Sequence, residues 1–444
     1  MKSRKYVFAL LTLSSLALCL LNLYASISSL QNEPSVYHLS HEHQGNNSIK
    51  VNVDAEQSAL ILLTAAQTDR PVFDEYVDPT TESERCKRYG LNYTGKTTRR
   101  RVFFGSLIAD DSWATIAISA IENYGILHTV AFVESNRTQT FHARNIRFGE
   151  GTENMKLIKK LYGPQTTVHV DYYVNEDWNL QSLGREHDQR SLIIERWKLN
   201  GMSSDDIGYL ADVDEVLTRD FVRALQICEV NEFDHHENCK EPKIDAGTVV
   251  FEGSPDCLKG QLWFRPFVVL GECIDSIGDS SVHPRPERSW DGKGWMSDGY
   301  TKKTQFASLP KNTTHYPLWN AADIRHNPGK TYGYTWGQYI GYHFHNFFPN
   351  LETLRKKYST YGHAVKDAME KSLGDIHDDL QAMMHCGLNG SATGLEKFGL
   401  VEGGLDYYGS TYIPLAFQIP GYVEIRRREL KEILLKDQVE QRPH

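Results

Sequence analysis

The stretch that decides the fold is Ile207-Gly208-Tyr209-Leu210-Ala211-Asp212-Val213-Asp214-Glu215. Its first five residues form an apolar run with the length and composition of a buried β-strand. The carboxylates of Asp212, Asp214 and Glu215 follow at once, and burying each of them unpaired would cost several kcal/mol. Ligands of open α/β sheets collect outside the carboxyl ends of strands, and carboxylate oxygens suit a hard divalent cation that also binds phosphate. The motif alone also allows a solvated loop.

Strand-like and helical segments alternate around this stretch. The strand-like segments are 102–108, 127–134, 207–211 and 248–270. The helical patterns are 113–121, 188–200, 220–230 and the amphipathic C-terminal segment 424–436. Strands that alternate with helices form a mostly parallel sheet, so the fold class is predicted to be α/β.

The N-terminal segment is apolar and uncharged from Val7 to Tyr24. A span of about 18 to 20 such residues crosses a bilayer as a helix. Lys2, Arg4 and Lys5 precede it, which favours a cytoplasmic N-terminus and a lumenal body. The alternative is a cleaved signal peptide. Both readings direct the rest of the chain into the secretory pathway.

Cysteines and glycosylation sequons agree with an oxidising compartment. Six cysteines follow the apolar segment, an even number that is compatible with disulfides. Cys228 and Cys239 are close enough in sequence to bridge a loop, as are Cys257 and Cys273. Asn-x-Ser/Thr sequons, which mark surface positions of secreted proteins, occur at Asn46, Asn92, Asn136, Asn312 and Asn389.

The charge of the chain argues against a nucleic-acid partner. The formal net charge is −9, and removing the cations Lys2, Arg4 and Lys5 leaves −12 for the remainder. Nucleic-acid binding needs a basic footprint. An anionic nucleotide is still compatible with this charge where a metal supplies positive charge locally.

Four stretches resemble glycosyltransferase family 17, the β-1,4-mannosyl-glycoprotein N-acetylglucosaminyltransferase family. They are similar to the family's apolar strand ending in Val-Glu-Ser/Ala-Asn, its Glu-x-x-Gln-Arg helix start, its Asp-Asp-Ile…Asp-x-Asp-Glu motif, and its Gly-Trp-His segment with the Lys-bearing helix and histidine that follow. In this chain the stretches are residues 130–136, 186–190, 205–216 and 341–363. Three departures are Leu217 for the family's Pro, Tyr342 for its Trp, and His345 for its Ser.

The resemblance implies a GT-A-like nucleotide-sugar-binding domain behind an N-terminal transmembrane helix and stem. The implied division is a cytoplasmic tail 1–5, a signal-anchor helix 6–27, a stem 28–95, a catalytic domain 96–375 and a C-terminal extension 376–444. The stem is expected to be mostly irregular because it is rich in polar residues. The implied location is the Golgi membrane, with single-pass type II topology and a lumenal catalytic domain.

The activity implied by the resemblance is inverting transfer of GlcNAc from UDP-GlcNAc to a mannose of N-glycans. A same-fold transferase with another donor sugar or acceptor is an alternative. A second is a non-catalytic lumenal glycan-binding protein that has kept the fold. The two acidic residues of the motif and His343 argue against the non-catalytic reading.

The metal site implied for this activity consists of Asp212, Asp214 and His343. Asp214 is expected to bind Mn²⁺ (or Mg²⁺) directly, and Asp212 to support it through ribose or water. Glu215 is either a neighbour of the metal or a helix-start residue. For His343 the alternative is an inward-facing strand histidine satisfied by a hydrogen bond. His345 shares its face if 341–348 is a strand.

Two further residues are expected at the nucleotide, beside Asp212. Arg190 has a fork of donors that suits a phosphate, or it forms a salt bridge to Glu186 one helical turn away. Glu134 either accepts a hydrogen bond from ribose or uracil, or is a strand-end charge that faces water. The general base, which an inverting enzyme needs at the acceptor hydroxyl, is not identified. The acidic residues in the right half of the chain include Glu272, Asp291, Asp298 and Asp323.

Overall fold

The computed structural model describes one part of the chain. The described residues are 77–174, 182–229, 243–255, 257–274, 340–389, 414–418 and 422–441, with 176, 178, 277 and 324. They all lie in one compact unit, Lys50–His444. The expected signal-anchor helix 6–27 falls outside them, as do Asp291, Asp298 and Asp323. In the described ranges no helix has the length and apolar character needed to span a membrane.

Strands and helices alternate over the first half, as the sequence pattern predicts. The strands are β1 Asn92–Tyr93, β2 Val102–Leu107, β3 Thr129–Ser135, β4 Thr167–Tyr173, β5 Ile207–Leu210, β6 Glu215–Leu217, β7 Cys228–Glu229, β8 Lys243–Glu252, β9 Leu258–Leu270 and β10 Gly341–His345. The helices are α1 Pro79–Arg88, α2 Trp113–Asn123, α3 Glu153–Tyr162, α4 Ser182–Leu199, α5 Arg219–Ile227, α6 Leu351–Thr360, α7 Leu373–Ile376, α8 Asp378–Asn389 and α9 Tyr422–Glu440. Short 3-10 helices span Gly271–Cys273 and Leu415–Gln418.

Among the described residues, eight strands form a central sheet in the order β4-β3-β2-β5-β9-β8-β10-β6. The pairs β4-β3, β3-β2, β2-β5 and β8-β10 are parallel. The pairs β5-β9, β9-β8 and β10-β6 are antiparallel. The sheet is therefore mainly parallel and the fold is mixed α/β, as predicted. The segment 248–270, which reads as strand-like, contributes to two antiparallel strands, β8 and β9.

Both faces of the parallel half are covered, which explains its continuous apolar runs. Side chains that alternate along a strand point to opposite faces. Phe104 thus joins the core cluster under α2 and α3, whereas its neighbour Phe103 joins a second cluster with Trp197 of α4. The carboxyl ends of β2, β3 and β5 consequently open at one edge between the two helical layers.

Two glycines allow α4 to approach the sheet closely. A Cβ on Gly105 of β2 would lie 2.0 Å from Ile193 Cγ2, and one on Gly208 of β5 would lie 2.5 Å from Trp197 Cζ3. The indole Nε1 of Trp197 donates to the main-chain oxygen of Phe104 at 3.1 Å. This hydrogen bond and the two glycines, which have no side chain, allow α4 to lie directly behind β2 and β5.

The Gly105→Ala variant is expected to destabilise the protein by about 1–3 kcal/mol, because the added methyl overpacks the core against Ile193. Gly374→Ala in α7 is the matched control, since its Cβ would meet no atom closer than 3.6 Å. Denaturant unfolding of both variants is the measurement. Equal stability of Gly105→Ala and Gly374→Ala would contradict the close approach of α4.

The segment expected to be an irregular stem contains a helix and a strand, α1 and β1. Helix α1 starts at an N-cap, Asp78, whose side chain accepts from the backbone N–H of Thr81. Cys86 of α1 is buried and forms a disulfide with Cys228 of β7. Strand β1 pairs with β7. The described residues 77–93 are therefore part of the folded body.

The disulfide pairings considered from sequence proximity are wrong. Cys228 bonds to Cys86 and not to Cys239. Cys257 and Cys273 are both disulfide-bonded, but the 13-residue strand β9 lies between them. An extended strand of that length spans more than about 30 Å, whereas bonded cysteines have Cα atoms within about 7 Å. These two residues therefore cannot bridge each other.

The C-terminal helix packs as its amphipathic pattern predicts. Leu430 and Ile433 of α9 join Leu354 of α6 and Met383 of α8 in a third core cluster. The buried guanidinium of Arg355 in α6 contacts Asp437 and Glu440 of α9. Helices α8 and α9 belong to the segment expected to be a C-terminal extension, and they pack directly on the helix that follows β10.

Candidate functional site

The Asp-x-Asp motif is a tight turn between β5 and β6. The N–H of Glu215 donates to the main-chain oxygen of Asp212 at 2.9 Å, and the N–H of Asp212 donates to Glu215 Oε2 at 2.8 Å. The Tyr209 hydroxyl donates to the main-chain oxygen of Glu215 and accepts from the N–H of Leu217, both at 2.9 Å. The turn is thus fixed from inside the core, and Asp212 and Asp214 do not share one strand face.

Asp212 is held by an arginine of α4. Arg190 donates to Glu186 through Nε at 3.0 Å and to Asp212 Oδ1 through a terminal nitrogen. Burial lowers the pKa of Arg190, but the two carboxylates raise it by more, so the guanidinium stays charged. The salt bridge to Glu186 is therefore present. Arg190 also lines the cavity described below, where a phosphate could reach it.

Asp214 faces His343, which strand β10 brings beside the turn. Strands β10 and β6 pair with His343 opposite Glu215, and the N–H of Phe344 donates to the main-chain oxygen of Asp214 at 2.8 Å. His343 Nε2 lies 3.7 Å from Asp214 Oδ2. His343 Nδ1 is buried and has no hydrogen-bond partner among the described residues. His343 is thus an inward-facing strand histidine, with one nitrogen unsatisfied and the other directed at the carboxylate.

The charges of this pair support each other. Burial raises the pKa of Asp214, but His343 lowers it by more, and the net shift is downward. Burial lowers the pKa of His343, but Asp214 raises it by more. A carboxylate oxygen and an imidazole nitrogen 3.7 Å apart suit a cation, because ligands bound at about 2.0–2.2 Å lie roughly 3–4 Å from each other. The donor set therefore fits the expected metal.

Glu215 is not at a helix start. It lies buried in β6, where Oε1 accepts from Trp263 Nε1 at 2.7 Å and Oε2 accepts from the N–H of Asp212. The side chain therefore secures the turn next to the Asp214–His343 pair.

Glu134 does not face water and is not among the residues that line the cavity. Its two oxygens accept from the backbone N–H groups of Arg147 and Phe148 at 2.7 and 3.0 Å. Burial raises its pKa more than these bonds and Arg144 lower it. In this structure Glu134 holds the chain at residues 147–148 against the end of β3.

A cavity of about 590 Å³ opens at this edge of the sheet. The sequence-predicted residues Arg190, Asp212, Asp214 and His343 all line it. Its volume lies in the range of small-molecule sites, about 300–1,000 Å³. The structure thus brings together four of the five predicted site residues and leaves out Glu134. Glu272, named above among the acidic residues, does not line the cavity.

Sequence reasoning missed Asp111, which lines the same cavity. It follows β2 as Asp212 follows β5, so the same strand-end logic would have found it. Burial is the main cause that raises its pKa to about 6, and Asp214 adds to the shift. Arg147 fixes this loop by donating to the main-chain oxygens of Ala109 and Asp111 at 2.9 and 2.7 Å.

Lys357 of α6 is the second missed residue. Its ammonium donates to Asn346 Oδ1 at 3.2 Å, and the side chain lines the cavity. The neighbouring Lys356 is exposed, and its Nζ lies 3.5 Å from Asp110 Oδ2. The apolar pattern of the helix could have indicated this difference. Leu354 and Tyr358 face the core, and Lys357 lies nearer to that face of the helix than Lys356 does.

A further group of potential metal ligands lies beside the first pair. His343 and His345 share one face of β10, with ring centroids 5.1 Å apart, as expected for side chains two residues apart on a strand. His345 lies close to Glu252 and Asp379. Asp379 and His345 also line the cavity.

Comparison with known proteins supports the family resemblance over part of the chain. Residues 64–240 match the model of glycosyltransferase family 17. This match confirms the resemblance over that segment, which is less than half of the chain. It covers the motif stretches 130–136, 186–190 and 205–216, whereas 341–363 lies outside it. The chain has no match among the curated proteins.

Proposed function

We propose that this protein is a glycosyltransferase of family 17 that transfers GlcNAc from UDP-GlcNAc to a mannose of N-glycans, with inversion, through a GT-A-like catalytic domain. The observation that carries the proposal is the fixed Asp212–Asp214 turn, which meets His343 at the mouth of a cavity in a chain with the family match. The family uses a nucleotide-sugar donor and a glycan acceptor. GlcNAc and the N-glycan mannose are the finer assignments proposed here.

Asp214 and His343 would hold Mn²⁺ (or Mg²⁺), with Asp212 in support. Bound there, the cation would neutralise the diphosphate as it leaves the sugar. Arg190 keeps Asp212 in position through its ion pair and stays charged. The ammonium of Lys357 adds a positive charge on the cavity wall. The site therefore combines two carboxylates, an imidazole and the cationic side chains of Arg190 and Lys357. This set suits a nucleotide diphosphate and its metal.

The test is transfer by the purified protein from a panel of UDP-GlcNAc, UDP-galactose, UDP-glucose and GDP-mannose to an N-glycan acceptor, with Mn²⁺ or with chelator. Transfer from UDP-GlcNAc, dependent on Mn²⁺ and with a β-linked product, is the expected result. Transfer of another sugar would refute the donor assignment but keep the mechanism. Absence of both transfer and Mn²⁺-dependent UDP binding would favour a non-catalytic glycan-binding protein.

Lys357→Ala is expected to lower kcat/KM for the nucleotide-sugar about tenfold, because one charged contact to phosphate is worth roughly 1.4 kcal/mol in the transition state. Lys356→Ala is the matched control and should change kcat/KM less than about twofold, since exposed ion pairs contribute little. Steady-state kinetics with varied donor would measure both. Equal effects of the two substitutions would contradict the placement of Lys357 at the diphosphate.

We further propose that the protein is a single-pass type II Golgi membrane protein with a lumenal body. The apolar segment 6–27, the sequons and the Cys86–Cys228 disulfide support this location. Asn92 is exposed in β1, whereas the amide of Asn136 donates to Glu176 at 3.3 Å. Enzymatic removal of N-glycans should shift the electrophoretic mobility, and Asn92→Gln should remove part of that shift. An unchanged mobility would oppose a lumenal body.

A further inference from the structure

A compact group of three ligand-type side chains lies beside the Asp214–His343 pair. Glu252 ends β8, His345 ends β10, and these two residues are direct neighbours in the parallel register. Asp379 lies in the first turn of α8. His345 Nδ1 is 2.9 Å from Glu252 Oε2 and 3.7 Å from Asp379 Oδ2. One ligand atom from each residue lies within 4.8 Å of the other two.

The surroundings orient Glu252 toward this group. Its side chain is completely buried, and Oε1 accepts from Asn346 Nδ2 at 2.6 Å. Asn346 Oδ1 in turn accepts from Lys357 Nζ at 3.2 Å and from the Tyr358 hydroxyl at 3.3 Å. Outer contacts of this kind fix the ligating atoms of metal sites. The second oxygen of Glu252 is thereby directed at His345.

His345 Nδ1 lies between the two carboxylates of the group. A neutral imidazole carries one proton, so His345 Nδ1 can donate to Glu252 or to Asp379 but not to both. Asp379 Oδ2 also lies 3.4 Å from Nδ1 of His377. That nitrogen accepts the backbone N–H of Asp379 at 3.1 Å, so its lone pair is already occupied. Two carboxylates that converge on one imidazole nitrogen form a donor set that suits a divalent cation.

We propose that Glu252, His345 and Asp379 form a second divalent-cation site, distinct from Asp214 and His343, that takes a transition cation such as Mn²⁺ or Zn²⁺. One imidazole nitrogen and two carboxylate oxygens suit these ions. Three protein ligands hold a cation without nucleotide, whereas the Asp214–His343 pair supplies two and would depend on phosphate oxygens. The proposal does not rest on the donor or the acceptor assigned above.

The test is titration of the full chain with Mn²⁺ in the absence of nucleotide, with free Mn²⁺ measured by electron paramagnetic resonance. One site per chain is expected in the wild type and in Asp214→Asn. Asp379→Asn and Glu252→Gln should each weaken this site by at least about 100-fold, because even outer contacts of metal sites account for about 10–100-fold in affinity. Thermal unfolding without Mn²⁺ would establish that each variant is folded.

Asp378→Asn is the matched control, since Asp378 is the exposed neighbour of Asp379 in the same helical turn. It should bind Mn²⁺ as the wild type does. The proposal is overturned if the wild type binds no Mn²⁺ without nucleotide, or if folded Asp379→Asn binds it as tightly as Asp378→Asn. Failure of UDP-GlcNAc transfer alongside intact nucleotide-independent binding would refute only the proposed function.

Discussion

Replacement of Asp214 by asparagine is expected to lower the rate of sugar transfer by about two to three orders of magnitude. Asparagine keeps the size of the side chain but removes the charge that would hold the cation beside His343. An electrostatic clamp on a leaving group supplies several kcal/mol, and about 1.4 kcal/mol corresponds to a tenfold change in rate. The measurement is Mn²⁺-dependent turnover of UDP-GlcNAc with an N-glycan acceptor, together with calorimetry of UDP binding.

Stability without metal should fall only modestly in Asp214→Asn, which loses the attraction between the carboxylate and His343. The N–H of Phe344 bonds the main-chain oxygen of Asp214, which the substitution keeps. Asp212→Asn should also lower transfer severely, because Asp212 supports the site and pairs with Arg190. The control is Asp205→Asn. Asp205 precedes β5, at the opposite end of that strand from the acidic turn, and its exposed carboxylate pairs with Lys96. Wild-type UDP binding that is equal with Mn²⁺ and with chelator would refute the acidic turn as a nucleotide-metal site.

Removal of the Cys86–Cys228 disulfide is expected to reduce the free energy of unfolding by about 4–5 kcal/mol, since the bond closes a very long loop of the unfolded chain. The two cysteines are separated by 142 positions in sequence and are fully buried. The double variant Cys86→Ala/Cys228→Ala avoids a free thiol. Guanidinium unfolding of the purified protein is the measurement.

At denaturant concentrations below global unfolding, loss of this disulfide should destabilise mainly the region around α1. Cys228 lies in β7, which pairs with β1 directly after α1, so loss of the bond should first expose α1 to proteolysis. Reductant does not replace this variant, because it would also cleave the disulfides of Cys257 and Cys273. Equal midpoints for oxidised wild type and the double variant would show that packing alone secures α1.

Individual residues of the site show what a local sequence pattern can predict and what it cannot. The carboxylates of Asp212 and Asp214 could be found because a short apolar run ends abruptly in charges, and the carboxyl ends of parallel strands meet at one edge. The same reasoning applies to Asp111, which follows the end of β2. The role of Glu134 could not be read in this way, because the backbone N–H groups that occupy its oxygens come from residues 147–148.

By itself the sequence determined the α/β class, the β5 strand, the acidic turn after it and the amphipathic α9, because period-2 and helical patterns and strand-end charges are local properties. Only the tertiary structure decided that Cys86 pairs with Cys228, that His343 faces Asp214, and that Asp379 joins His345. Each of these contacts joins segments far apart in the chain. The insertion of β10 between β8 and β6 creates the last two, and the order of strands in a sheet depends on packing over the whole domain rather than on any single segment.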